Sequence, residues 1–148
     1  MNSRQFCTFF LDGLFFGVDV LKVQEVIRFQ EMTRVPLANN VVRGLINLRG
    51  QIVTAIDLRR RLGLVEREIG QSFMNVIIHT SDAPVSLLVD EIGDVLEIED
   101  DLFEAPPHHL QAGLKSLVSG VYKLEDHLLL ILNTEKTVEL DSFSLAGK

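Results

Sequence analysis

A single cysteine, one tyrosine, four prolines and no tryptophan stand in 148 residues. The lone thiol, Cys7, excludes an internal disulfide and a cysteine-based metal cluster. Within the apolar run FCTFF it is expected as a buried structural thiol rather than a nucleophile. No apolar run reaches the about 18 residues a membrane helix needs. The N-terminus MNSRQFCTFFLDG has neither a basic region before a clean apolar core nor a small-residue cleavage site, so a soluble cytoplasmic protein is the expectation. Phosphate-cradling glycine motifs and the nucleophile elbow Gly-x-Ser-x-Gly are missing. His79, His108, His109 and His127 lack any ligand spacing, and no metal or cofactor is expected. The acidic run Glu97, Glu99, Asp100, Asp101, Glu104 lacks the alternating oxygens and glycine of a calcium loop and reads as a solvated surface.

Basic residues are also scarce: 14 Lys and Arg face 21 Asp and Glu, for a net charge of −7. This argues against nucleic acid, whose phosphates need a concentrated cationic face. The one basic cluster, Arg59-Arg60-Arg61, is expected on the solvated side of a short helix. The charge is uneven along the chain. Residues 1–70 hold 10 basic against 7 acidic residues, and residues 71–148 hold 4 against 14. Such polarity suits oriented contacts with other proteins.

Hydrophobic residues make up 47% of the chain, enough for one compact domain or two closely fused small ones. The stretch FCTFFLDGLFFGVDV is a hairpin about Asp12-Gly13. Val20, Val23, Val26 and Ile27 recur at helical spacing behind Asp19, which predicts a short helix over about 20–28. An irregular link precedes the hairpin GLINLRGQIVTAIDL, whose tip is Arg49-Gly50. Asp57 then caps the short helix LRRRLGL, ended by Gly63. After a connector over 64–72 come a strand at 73–80, one bent strand or two shorter ones over 85–98, and a long loop from 99 to 116. A strand-turn-strand over 120–132 follows, with a helix near 134–140 capped by Asn133 or Thr134.

These pieces repeat. A shift of 76 sets GLINLRGQIVTAID over GVYKLEDHLLLILN, and Val18-Asp19 corresponds to Val89-Asp90. Two small β-subdomains follow, roughly 6–70 and 71–140, with strand exchange between them allowed. About five short strands in each suit small closed barrels with a groove between them. That groove could take a protein partner or a small ligand. Equivalent tips carry Arg49-Gly50 in one half and Glu125-Asp126 in the other, so the two halves present different surfaces.

The segments VDVLKVQEVIRFQEMTRVP, VVRGLINLRGQIVTAIDLRRRLG and VSLLVDEIGDVLEI closely resemble the CheW family of chemosensory coupling proteins, from about Phe6 to about Val138. The resemblance implies a mainly β fold of two five-stranded SH3-like β-barrel subdomains with a few short helices, and no enzymatic activity. It implies an adaptor between the cytoplasmic tip of methyl-accepting chemoreceptors and the regulatory domain of the histidine kinase CheA, meeting the membrane only through receptors. A related non-flagellar pathway is the alternative output, and a ligand-binding barrel or enzyme is disfavoured. Carried over, Val20, Val23, Glu25, Arg43, Asn47 and Arg49 would border the receptor, and Met74, Val76 and Val95 the kinase. Glu25 and Arg49 are expected to pair at the edge of the receptor groove.

Overall fold

The computed structural model describes residues 2–28 and 30–139, and ten strands dominate it. They are β1 (Ser3–Leu11), β2 (Leu14–Asp19), β3 (Val23–Arg28), β4 (Val42–Leu48), β5 (Gln51–Asp57), β6 (Met74–Ile78), β7 (Val85–Val89), β8 (Glu91–Glu99), β9 (Val118–Lys123) and β10 (Leu128–Leu132). Three short helices, α1 (Leu58–Leu62), α2 (Ala112–Leu117) and α3 (Thr134–Val138), join two 3-10 turns at Val20–Lys22 and Asp100–Leu102. The strands form two five-stranded sheets. Sheet 1 has the order β8-β1-β2-β10-β9, and sheet 2 the order β3-β6-β7-β5-β4. Sheet 1 therefore combines β1 and β2 from the start of the chain with β8, β9 and β10 from its later part, while sheet 2 is the contiguous run β3–β7 between them.

Local chemistry accounts for the turns and caps. Asp12 and Gly13 have φ of 49° and 78°, and Arg49 and Gly50 have 53° and 88°. Positive φ at both central residues is what a type I′ hairpin turn requires. The Asp57 carboxylate accepts from the Arg60 amide and Gly63 closes α1 at φ 75°. Asn133 caps α3 through the Lys136 amide. Residue 140, the end of the expected helix, lies outside the described residues.

Gly44 and Gly120 open the repeated hairpins because another segment crosses them closely. A Cβ at Gly44 would stand 2.8 Å from the Thr33 carbonyl oxygen. One at Gly120 would stand 2.7 Å from the Glu104 carbonyl oxygen and nearer still to the Phe103 ring. Thr33 exchanges hydrogen bonds of 2.9 and 2.8 Å with Leu45, and Glu104 exchanges bonds of 2.9 and 2.8 Å with Val121. These straps curl each sheet over its own small core.

The largest cluster draws on both sheets. Phe9, Leu11, Phe16, Val18 and Leu130 of sheet 1 meet Ile56, Val76, Ile78, Leu87 and Val89 of sheet 2, with Leu58, Leu62, Leu114 and Leu117 from α1 and α2. Smaller clusters fill each barrel: Ile46, Leu48, Val53, Phe73, Ile77 and Leu88 in sheet 2, and Phe6, Ile98, Tyr122, Leu129 and Ile131 in sheet 1.

Two expected elements differ. The helix over 20–28 is a 3-10 turn followed by strand β3. Its β-branched residues favour a strand, which pairs with β6 across a register shift between Val23 and Glu25. Val23 packs on the central cluster and Ile27 on the barrel cluster, while Val26 falls on the exposed side, so the apolar spacing does not mark one face. The long loop over 99–116 contains a 3-10 turn and runs into α2. Leu110, Leu114 and Leu117 keep helical spacing there, and Gly113 is where α2 crowds α1, a Cβ falling 2.7 Å from the Leu62 carbonyl oxygen. The segment 85–98 is two strands, β7 and β8. Cys7 is half-buried rather than fully so, because strand alternation puts it opposite the exposed Val95. Burial, reinforced by the charge of Asp19, pushes its thiol pKa up, which suits an unreactive thiol.

Candidate functional site

Arg49 occupies the left-handed region at the β4–β5 tip, where glycine, asparagine or aspartate is cheaper than a long side chain. Asn47 braces the turn by accepting a 2.9 Å hydrogen bond from the Gly50 amide. From this position the Arg49 guanidinium reaches across sheet 2 and donates to the Glu25 carboxylate on the opposite edge strand, β3. Glu25 pairs with Ile77 of β6, so the contact closes the mouth of that barrel. The hydrogen bond from Arg49, against some desolvation, holds the Glu25 carboxyl below the usual carboxylate range. The Arg49 side chain stays mostly exposed, at 68%, so it remains available to a partner.

Among the described residues the other barrel has no such pair. The shift that equates Val18-Asp19 with Val89-Asp90 sets Phe6 on Ile77, and Phe6 pairs with Leu96 just as Ile77 pairs with Glu25. Leu96 therefore stands where Glu25 does, packed on an apolar cluster, and Glu125 stands where Arg49 does. One fold element thus carries an ion pair in one copy and an aliphatic contact in the other.

Around the pair, Val20 is half-buried in the 3-10 turn beside the exposed Leu21, and Val23 is half-buried against the central cluster. Arg43 bonds Asp57 at 3.4 Å and lies over the Phe73 ring at 5.7 Å. Asn47 is exposed beside Ile52, its cross-strand neighbour, which is 56% exposed. Val20, Val23, Glu25, Asn47 and Arg49 thus all lie on the two edge strands of sheet 2, their tip or the turn leading in, while Arg43 faces Phe73 and Asp57.

Met74, Val76 and Val95 are not brought together. Val76 is 1% exposed within the central cluster, so its side chain cannot meet a partner, and its placement at a contact surface is corrected. It faces the shared core because β6 is an inner strand, between β3 and β7, covered on the side sheet 1 packs against. Val95, on β8 of sheet 1, is 56% exposed. Met74, on β6 of sheet 2, borders a surface pocket together with Phe73 and Ile92.

The arginines of α1 overturn the expected solvated face. Arg59 is buried and grips Asp90 through Nη2 at 2.5 Å and Nε at 3.1 Å. Arg67 donates to the same carboxylate at 2.9 Å, and the Asp12 amide does so at 2.8 Å. Arg60 binds Glu66 at 2.8 Å and the Asn40 carbonyl at 2.8 Å. Arg61 donates to the Thr137 and Lys136 carbonyls at 2.8 and 2.9 Å, covering the C-terminal end of α3. A five-residue helix exposes one narrow side, so three consecutive arginines fan around it into three neighbours. The signal available in sequence was Asp90, which follows the largely apolar strand β7 and demands a cation when buried.

Burial disfavours the Asp90 charge, but bonds from Arg59, the Asp12 amide and Arg67 outweigh it and hold its pKa below the usual value. A carboxyl that titrates lower in the folded chain contributes stability above its unfolded pKa of about 3.9, and loses it as pH falls through the folded value. Urea midpoints of the parent and Asp90→Asn are therefore expected to differ most near neutrality and to converge from about pH 4 downward. A gap that stays constant to about pH 2 would contradict this assignment.

Among the described residues no helix is long and apolar enough to cross a membrane. Residues 5–142 match the model of the CheW-like domain. The chain is 32% identical over 141 residues to chemotaxis protein CheW of Bacillus subtilis, spanning 95% of this chain and 90% of that one. The crystal structure of scaffolding protein TtCheW from Thermoanaerobacter tengcongensis superposes with a TM-score of 0.84 at 26% identity, covering 95% of both chains. Protein PilI of Pseudomonas aeruginosa is 26% identical over 117 residues, 79% of this chain and 66% of its own length.

Proposed function

The chain belongs to the CheW-like domain family and is a CheW-type chemotaxis scaffold, and on that footing we propose that it is a non-catalytic adaptor between receptor and kinase. It couples the cytoplasmic tips of methyl-accepting chemoreceptors to the regulatory domain of a CheA-type histidine kinase, and joins the membrane-associated array only through the receptors. The reading rests chiefly on the Arg49–Glu25 pair. An exposed arginine held in a left-handed turn, paired across one barrel and absent from the other, is a feature the fold itself does not need.

A receptor tip is an amphipathic helical hairpin, which takes area from aliphatic walls and register from a few charges. Val20, Val23 and the exposed Leu21 and Ile52 supply the first, and Glu25, Asn47 and Arg49 the second. Arg43 serves this face indirectly, through Phe73 and Asp57. The kinase regulatory domain is assigned to the sheet 1 side, where Val95 is exposed, with Met74 at its border through Ile92. The relative from Pseudomonas aeruginosa favours, as second reading, the same adaptor role in a related non-flagellar pathway.

Arg49→Ala tests the receptor face. Loss of one charge-assisted contact is expected to weaken binding of a receptor-tip fragment about ten-fold. Stability should change by no more than about 0.5 kcal/mol, as for other surface substitutions. Binding of the kinase regulatory domain, read by calorimetry on the same sample, should be unchanged. Receptor binding equal to the parent's, or an unfolded variant, would overturn the role given to Arg49.

A further inference from the structure

Among the described residues the chain passes between the two sheets at two places, from β2 to β3 through residues 19–23 and from β7 to β8 through Asp90. The repeat makes these crossings equivalent, Asp19 matching Asp90. Their surroundings differ.

At the second crossing one residue separates the strands, and its carboxylate binds both sheets at once. Arg59 comes from α1 behind sheet 2, and the Asp12 amide from the β1–β2 tip of sheet 1. Arg67 comes from the connector over 64–72. The Asp90 amide donates to the Phe10 carbonyl of sheet 1 at 3.1 Å, and Arg59 Nη1 binds the Val65 carbonyl at 2.9 Å. The side chains of Arg59, Asp90 and Arg67 are 8%, 12% and 4% exposed.

At the first crossing Asp19 meets Arg4 of β1, in its own sheet, at 3.2 Å, and accepts from the Leu21 amide in its own turn at 2.9 Å. Neither contact reaches sheet 2, which is tied to this turn by a backbone bond from the His79 amide to the Lys22 carbonyl. Three residues separate the strands here, and Leu21 is 83% exposed.

We propose that Asp90, gripped by Arg59 and Arg67, is the fixed joint between the two sheets, and that the crossing at 19–23 is the one that yields. Asp90 is then a positioning residue for coupling. Val20, Val23 and Glu25 lie on the yielding side, so a receptor helix pressing there tilts sheet 2 about the Asp90 joint. Strand β8, which carries Val95, leaves that same joint. The functional half of this inference rests on the adaptor reading; the mechanical half does not.

Pulsed electron paramagnetic resonance tests it. Nitroxides are placed at Ile52→Cys on β5 and Asp94→Cys on β8, in a Cys7→Ser background. Asp90→Asn is expected to broaden the inter-label distance distribution at least two-fold, while Asp19→Asn leaves it at the parent width. Arg67→Gln, which keeps the Arg59 contact, should give an intermediate width and serves if Asp90→Asn does not fold. Parent width in the folded Asp90 and Arg67 variants, or equal broadening by Asp19→Asn, would overturn the proposal. With a receptor-tip fragment and a kinase regulatory domain, Asp90→Asn should bind each within about two-fold of the parent yet lose receptor control of kinase activity. Retained control in the broadened variant would overturn the positioning role. A parent that binds neither partner would refute the adaptor reading instead, and the distance widths would still decide the joint.

Discussion

Asp90→Ala is expected to lower the free energy of unfolding by about 3–5 kcal/mol, because it strands two buried arginines without their anion. Arg59 and Arg67 are 8% and 4% exposed and share this carboxylate, so water cannot replace it without opening the α1 and 64–72 region. The Asp12 amide loses its acceptor in the same step. The exposed Arg60–Glu66 pair is the internal comparison: Glu66 is 69% exposed, and breaking such a pair costs about 0–1 kcal/mol. Urea denaturation of Asp90→Ala and Glu66→Ala, with m-values checked for constancy, reads both. A loss under about 1 kcal/mol for Asp90→Ala would mean that the cluster is solvated, and the joint would fall with it.

Phe16→Ala should cost a similar amount, about 3–5 kcal/mol, and should leave unfolding as a single transition. Phe16 is fully buried, stacks on Phe9 at a centroid distance of 5.7 Å, and lies in the cluster that both sheets share. Sheet 1 also joins strands from both ends of the chain around the contiguous β3–β7 of sheet 2, and the two sheets share this cluster, so neither is expected to retain its order when the other is lost. Hydrogen exchange of the Ile77 amide in sheet 2 and near-ultraviolet dichroism of Tyr122 in sheet 1 should report the same midpoint in this variant. Two separated midpoints would show that the barrels are energetically independent.

The features visible in the sequence were those set by near neighbours along the chain. Asp12-Gly13 and Arg49-Gly50 announced their turns because two successive positive φ values restrict the residue choice. Asp57 with Gly63, and Asn133, marked helix ends within a few residues. The ion pair between Glu25 and Arg49 was foreseen through the family resemblance, and β3 and the tip do meet. Segments ruled by distant partners misled. Residues 23–28 carry helical spacing yet form a strand, since β6 offers a ladder, and Val23, Glu25 and Ile27 then fall on one side with Val26 on the other. The fate of Arg59 depended on Asp90, 31 residues away, and on a one-residue crossing that no local pattern announces. Val76 sat in a strand buried on both sides, facing the shared core while Ile77 faces the barrel core, and no local pattern tells those sides apart.

The asymmetry between the two copies ties these observations to function. Both hairpins need their opening glycine because a strap crosses it, and both need a capped helix at the far end. They part at the tip, where arginine with a remote glutamate replaces glutamate with a remote leucine, and at the crossing, where a two-arginine clamp replaces a single partly exposed pair. The first difference makes one face suited to a charged, amphipathic helix. The second fixes how that face is carried relative to the other sheet.

An adaptor must hold its two partners at the same time, so the most direct measurement is the mass in solution of the chain mixed with a receptor-tip fragment and a kinase regulatory domain. Analytical ultracentrifugation should find one species containing all three, with Arg49→Ala shedding the receptor fragment and keeping the kinase domain. Mutual displacement of the two partners at one face, or binding of neither, would contradict the adaptor role.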